Sequence, residues 1–360
     1  MGFRKGALTF SRYRLIGDLP DHFPAFFDER IRKNAFQNVW RTSDEKAMGW
    51  TALDDPLDTD FPYASYAQGR YQLFSMRIDR KALAPALLRL RVLEAERKQL
   101  ADTGQKRLYR EQREAIREAV RLDLLGKSLP TPSLFEICWS VPDHTLILGS
   151  LSDKVFEELQ ELFRDSFQIA LCPYLPWDQQ PRDPQQIPEP SLPAGVDPLS
   201  IGREFLTWLW FKSEERSGKI QLPNLGEVEV LFVRRLVLES GDGEYAEQVV
   251  CQGMHADLKE GKEALRQGKK ITAARLRVAH DKTEWEFTFK ADRFHFQSMK
   301  LPTLPEGDEE ETDREGQLLE RIYLIEKVTG LMDQLFGTFM TIRLSGDWAH
   351  EQGRMEKWLR

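Results

Sequence analysis

Five basic residues, Lys106, Arg110, Arg113, Arg117 and Arg121, recur at steps of four, three, four and four within QKRLYREQREAIREAVRLDLL (105–125). At 100° per residue they share an arc of about 80° on one helix. Cations at that spacing can neutralise successive phosphates of a polyanion. A solvated face stitched by (i, i+3) and (i, i+4) pairs to Glu111, Glu114 and Glu118 is the plainer reading. On the wheel Leu108, Ala115, Ala119 and Leu122 fall opposite the basic row, where a core or a partner helix is expected.

A second cluster shifts the balance. Lys259, Lys262, Arg266 and Lys269 follow steps of three, four and three, and Lys270 opens the strand-like KITAARLRV. There Ile271, Ala273, Arg275 and Arg277 alternate against Thr272, Ala274, Leu276 and Val278, so the arginines are expected on one side. Residues 80–127 hold 13 Lys and Arg against 7 Asp and Glu, and residues 259–277 hold 7 against 2, although the chain is −7 overall. Two basic patches in an acidic chain point to a polyanionic partner, with the acidic remainder limiting loose association. Such contacts are salt-dependent and blind to sequence. No zinc finger, RNP motif or clear helix-turn-helix is present.

Enzymatic signatures are weak. QGKKIT lacks the earlier glycine of a phosphate loop, since Glu263 stands there, and Lys270 replaces its Ser or Thr. Asp257, Glu260 and Lys262 have an acid-x-lysine spacing that suits a metal-dependent nuclease. In a chain with 58 acids and 51 bases that spacing arises by chance, and it falls on helix rather than strand. No G-x-S-x-G or Cys-His signature occurs, and the six histidines show no paired metal spacing. The expectation is no catalytic residue, no metal ligand and no cofactor.

The positioning elements follow from periodicity. ALTFSRYRL reads as an edge strand, DHFPAFFDERIRKNAF as a helix capped by Asp21, and RYQLFSMRID as a strand. Turn chemistry at ADTG (101–104) divides a long helical region into a protruding hairpin, 84–101 and 105–125. SLFEICWSV and HTLILGS pair across Pro142-Asp143, and DKVFEELQELFRDSF is amphipathic. Residues 173–198 hold eight of the 19 prolines and read as a linker; 306–315 hold seven acids. GREFLTWLWFKSEE is an aromatic core helix, and four strand-like stretches precede a long apolar helix over 316–344. The class is α+β, with antiparallel sheets, a protruding hairpin and C-terminal helices. The domains divide as 1–79 with 128–175, the hairpin 80–127, the linker 176–199 and a base 200–360.

With 360 residues the chain can bury sizeable cores, and no run of 18 apolar residues suggests a membrane span. The start has basic residues but no apolar stretch like a secretory signal. Cys138, Cys172 and Cys251 are scattered and odd in number, which fits buried thiols in a reducing cytoplasm.

In order and spacing, several stretches resemble the recombination-associated RdgC family. They are GFRKGALTFSRYRL, KAMGWTALDD, GRYQLFSMRIDRKALAPALLRLRVLEAERKQ, LLGKSLPTPSLFEICWSVPDHTLILGSLS, GREFLTWLWFKSE and LRQGKKITAARLRVAHDKTEWEFTFKADRFHFQSMKL. The resemblance implies a bacterial, nucleoid-associated cytoplasmic protein: horseshoe-like protomers closing into a homodimeric ring around double-stranded DNA. It implies that the ring restrains a RecA-type recombinase, with the hairpin and the sheet-bearing base as dimer contacts. Lys127 in LLGKSL stands where the family has a basic residue, and Lys269 in QGKK matches a glycine-lysine pair; both carry DNA contact over. Leu129 replaces the family's aromatic, and CQGMHAD replaces a basic stretch, for which Lys270, Arg275 and Arg277 compensate by charge. The alternative is a scaffold binding an acidic protein through the aromatic helix and the hairpin, and after it the nuclease.

Overall fold

Among the described residues of a computed structural model, thirteen strands hydrogen-bond into one antiparallel sheet, ten of them along its main path. Residues 2–40, 42–178, 192, 196–198, 200–215, 217–223, 225–240, 247–253, 259–302 and 311–360 are described, side chains from 314 in the last span. Residues 179–191, 193–195 and 199 of the proline-rich stretch and 306–310 of the acidic stretch therefore lie outside the described residues.

The first half comprises β1 (Leu8–Ile16), α1 (Phe23–Lys33), β2 (Lys46–Ala52), β3 (Ala67–Gln68), β4 (Tyr71–Arg80), α2 (Pro85–Thr103) and α3 (Arg110–Lys127). It continues with β5 (Thr131–Ser140), β6 (Thr145–Leu148), α4 (Asp153–Phe167) and β7 (Ala170–Pro173). The second half has α5 (Ile201–Glu215), β8 (Lys219–Leu222), β9 (Gly226–Glu239), β10 (Gln248–Gln252), α6 (Lys259–Arg266) and β11 (Lys270–His280). It ends with β12 (Thr283–Lys290), β13 (His295–Lys300), α7 (Glu311–Arg343) and α8 (Trp348–Leu359). The main path runs β10-β9-β11-β12-β13-β1-β6-β5-β4-β2. This is an α+β protein with a large antiparallel sheet and C-terminal helices.

The expectation of an edge strand at the start is corrected: β1 joins the halves. Leu8 and Phe10 register with β13, Ser11 to Arg14 with β6, and Tyr13 to Ile16 with β7. Its polar residues mislead because Ser11 is buried, its hydroxyl donating to the Ser150 carbonyl, while Arg12 is held by Asp333. α1 is likewise not capped by Asp21; His22 precedes it and no side chain caps it.

The halves differ in how many sheet faces they cover. In the first, Phe74, Ile137 and Trp139 pack with α1 and α4, while their neighbours Leu73 and Cys138 join the cluster that contains α7. Strands buried on both faces read as continuous apolar runs. In the second half one face packs against α5, α6 and α7, so EVEVLF, ARLRV and EWEFTF alternate. At 33 residues α7 is about 50 Å long. It buries Ile322, Ile325, Val328, Met332 and Phe336, and reaches the first half through Glu326, which accepts from Arg70 and Tyr71, and Asp333, which accepts from Arg12. α8 carries no turn signal that the sequence reading used; it packs Trp348 on Phe339 and Trp358 on Trp210.

Gly49 on β2 shows how closely the chain leaving α1 lies on that strand. Phe36 N–H donates to the Trp50 carbonyl at 2.9 Å, and a Cβ on residue 49 would lie 2.4 Å from Phe36 Cα. Gly49→Val is expected to cost about 1–3 kcal/mol or more by overpacking, read as a lower urea midpoint. Gly126→Ala, with open space around its Cβ, is expected to be neutral or to stabilise by up to about 1 kcal/mol.

Candidate nucleic-acid interface

The open face of the second half holds a groove of about 710 Å³ across β9, β11, β12 and β13. Strand alternation and one bulge aim its cations. Leu236 registers with Ala274 and Phe232 with Leu276, so β9 spends Val233 to Arg235 where β11 spends only Arg275. Arg234 absorbs the extra length at φ +62°, and Arg234 and Arg235 stand exposed. A second irregularity between Ile271 and Ala273 puts Ile271 into the core, which corrects its assignment to the arginine side. From Thr272 onward the expected phase recovers at Arg275 and Arg277, both half-buried.

Arg275 is held firmly. Its Nε and Nη2 donate to Glu286 Oε1 at 3.0 and 2.8 Å, and Nη1 donates to the Ser298 carbonyl at 3.0 Å. Burial works against the Glu286 charge, but Arg275 outweighs it and holds that carboxyl below the usual range. Arg293 pairs with Asp153, and the groove's Asp292 is taken by Arg203 from α5. Arg235, Arg277 and Lys290 form no ion pair among the described residues. They are the cations of this face with charge to spare for an anion.

His295 lines the same groove, and its ring is buried. Burial first, then the nearby positive charges of Arg293 and Lys290, push its pKa down to about 4. The unfolded chain takes up this proton near pH 6.5 and the fold does not. Stability from this group is therefore present above pH 6.5 and is lost as pH falls toward 4. His295→Gln should flatten the unfolding free energy across that window, and the wild-type imidazole should titrate near pH 4 by NMR.

The hairpin forms as expected, with a different face inward. α2 ends at Gly104, φ +65°, and α3 starts at Arg110, where the Gln112 side chain accepts the Tyr109 N–H at 3.0 Å. Lys106 therefore lies before the helix, and four cations remain on it. Ile116, Val120 and Leu124 are half-buried on the inward side, whereas Ala115, Ala119 and Leu122 are exposed; the expected core face is corrected. Leu108 is buried, but in the loop between the helices. The late start of the helix accounts for Leu108 and Lys106; Ala115, Ala119 and Leu122 stay exposed because the bulkier apolar row Ile116, Val120 and Leu124 packs inward instead.

Part of the basic row is stitched as the solvated reading expects: Arg110 pairs with Glu114, and Arg121 with Glu118 and Glu45. Arg113 and Arg117 have no ion pair among the described residues and line a notch of about 660 Å³ with Arg107 and Arg110. Glu96 and Glu114 share it. Lys127, in the last turn of α3, is exposed and pairs with Asp123 at 2.6 Å.

The 259–269 row is broken up. Lys259 opens α6, but Lys262 pairs with Glu214 at 2.5 Å and lies 4.7 Å from the Trp358 ring centroid. Arg266 donates to the Leu359 and Arg360 carbonyls and pairs with Glu263. Helix α8 thus covers much of the basic face. Lys269 falls beyond the helix, buried and paired with Glu247 at 2.8 Å, which corrects its placement on one helical face. Lys270 begins β11 opposite Glu239. Of the second cluster, Arg275 belongs to the groove and Arg277 shares its face; Lys262 and Arg266 belong to the α6–α8 contact. Sequence reasoning missed Arg235, Lys290 and Arg293, although VRRLV and FKADRFH carried the signal of basic residues at strand spacing.

Among the described residues no group of three or more His, Cys, Asp or Glu could hold a metal ion, and Asp257 lies outside those residues. Residues 10–183 match the family model described as "Putative exonuclease, RdgC". That span, 174 of the 360 residues, is what the chain has in common with the RdgC family. No curated protein matches it. The RdgC match covers β1 through β7, hairpin included, and stops before the half that carries the groove. No described helix is long and apolar enough to cross a membrane.

Proposed function

We propose that this chain is a member of the RdgC family and binds the backbone of double-stranded DNA without sequence preference, as a homodimer that encircles the duplex and restrains a recombinase. The open sheet face carries the reading: Arg235, Arg275, Arg277, Lys290 and Arg293 lie on one uncovered surface in an acidic protein. Lys127 and the hairpin arginines extend the contact in this proposal. Cations on a flat sheet, without a helix or ribbon to enter a groove, suit phosphate contact rather than base reading.

Self-association is supported by the hairpin. Leu87, Leu90 and Leu93 on α2 are 42, 53 and 44% exposed and recur every three residues. With Leu122 they make apolar surface that a second copy could cover. Fluorescence anisotropy with duplexes of different sequence tests the DNA reading. About six phosphate contacts would lower affinity roughly 10³-fold between ~50 and 200 mM salt, alike for all sequences. A salt-independent curve overturns it.

The second reading, a nuclease, has in its favour that the matched family is described as an exonuclease. Incubating linear duplex with magnesium or manganese tests it, since exonuclease action would shorten the ends. The third, an acidic-protein scaffold, predicts partner capture that survives nuclease treatment of the lysate.

A further inference from the structure

A second, smaller cavity lies away from the groove's centre, where α5, the α6–β11 turn and the ends of α7 and α8 converge; its volume is about 390 Å³. Leu265, Trp348, Met355 and Leu359 give it an apolar lining, all of them partly exposed. Lys269, Lys270, Arg203 and Arg343 stand around that lining, against one lining carboxylate, Glu204.

The local sequence explains the arrangement. Gly268, at φ +86°, closes α6: its N–H donates to the Leu265 carbonyl at 2.9 Å, and Lys269 N–H to the Ala264 carbonyl at 3.0 Å. That turn brings two lysines to the cavity. From the other side, the Arg343 guanidinium lies 4.8 Å from the Trp348 ring centroid, with Nε 3.0 Å from Glu204.

We propose that this cavity docks a short peptide segment of a protein partner in which acidic residues run into one or two large apolar ones. The reading is independent of the DNA proposal. Charge complementarity argues for the acids: Lys270 has no ion pair among the described residues, and the carboxylates that pair Arg203 and Lys269, Asp292 and Glu247, lie outside the lining. The Lys269 ammonium is buried, yet its partner Glu247 is 80% exposed, so an incoming carboxylate can take that place at small cost. The lining argues for the apolar residues. A thioether, two leucines and an indole offer nothing to a phosphate backbone, but they fit an aliphatic or aromatic side chain.

The test is anisotropy of the full chain with a fluorescein-labelled peptide, Asp-Asp-Glu-Asp-Leu-Phe. Two controls replace Leu-Phe by Ser-Ser, or the four acids by lysine. Saturable binding is expected for the first peptide and at least about 10-fold weaker binding for both controls. Met355→Glu, at a half-buried residue of α8 packed against the core, should weaken the first peptide at least about 10-fold at a temperature where its melting curve shows it folded. Lys270→Ala should do so by a smaller factor. Both effects are read beside duplex affinity, which Met355→Glu should leave unchanged. Absence of saturable binding, equal binding of the Ser-Ser control, or full binding by folded Met355→Glu overturns the proposal and leaves the DNA reading untouched.

Discussion

Arg235→Glu with Lys290→Glu is expected to weaken duplex DNA binding by about 60-fold or more at ~0.1 M salt. Counterion release gives roughly 8-fold per phosphate contact at that concentration, and two contacts multiply. The slope of log affinity against log salt should fall in magnitude by about 1.8. These two residues are the cleanest choice, since neither holds an ion pair among the described residues and both line the groove. Arg275 is a poorer probe: removing it would strand Glu286 and the Ser298 carbonyl, confusing stability with binding. Lys262→Ala, on the helix pair, should leave the slope unchanged. An unaltered slope in the double variant would remove the sheet face from the interface.

The second large effect concerns the joint between the halves. Arg12 on β1 donates through Nη1 and Nη2 to Asp333 on α7 at 2.8 and 2.7 Å. Its guanidinium lies 4.1 Å from the Tyr174 ring centroid, and the Tyr174 hydroxyl donates to the same carboxylate at 3.0 Å. Burial disfavours the Arg12 charge, but Asp333 more than offsets this and keeps the guanidinium firmly protonated. Asp333→Ala leaves that charge buried and unpaired, costing about 3–5 kcal/mol. For a chain of this length the melting temperature should fall by about 4–7 °C. Arg12→Met with Asp333→Leu should recover most of the loss, because a hydrophobic pair of similar volume avoids desolvating two charges. If the double variant is as unstable as the single, the pair contributes more than removal of an orphan charge.

Much of the fold was legible because the chain states its periods openly. The hairpin, the amphipathic α4 and the alternating strands β9, β11 and β12 can each be read from local spacing. α8 was not seen, and β1 was misread, because what covers a residue is not written beside it. Ser11 and Arg12 look exposed until Ser150 and Asp333, far along the chain, come to meet them.

The candidate site divides in the same way. Sequence by itself determined that this acidic chain concentrates cations in two regions, and that Arg275 and Arg277 share one side of a strand. Which cations remain open to a partner was decided only by tertiary packing. Helix α8 lies across Lys262 and Arg266, Glu247 takes Lys269, and a bulge in β9 delivers Arg235 to the groove. The reason is physical: local periodicity sets the direction of a side chain from its own backbone, at a few residues' range. Burial and ion pairing depend on long-range contacts and bulges, which no short spacing encodes.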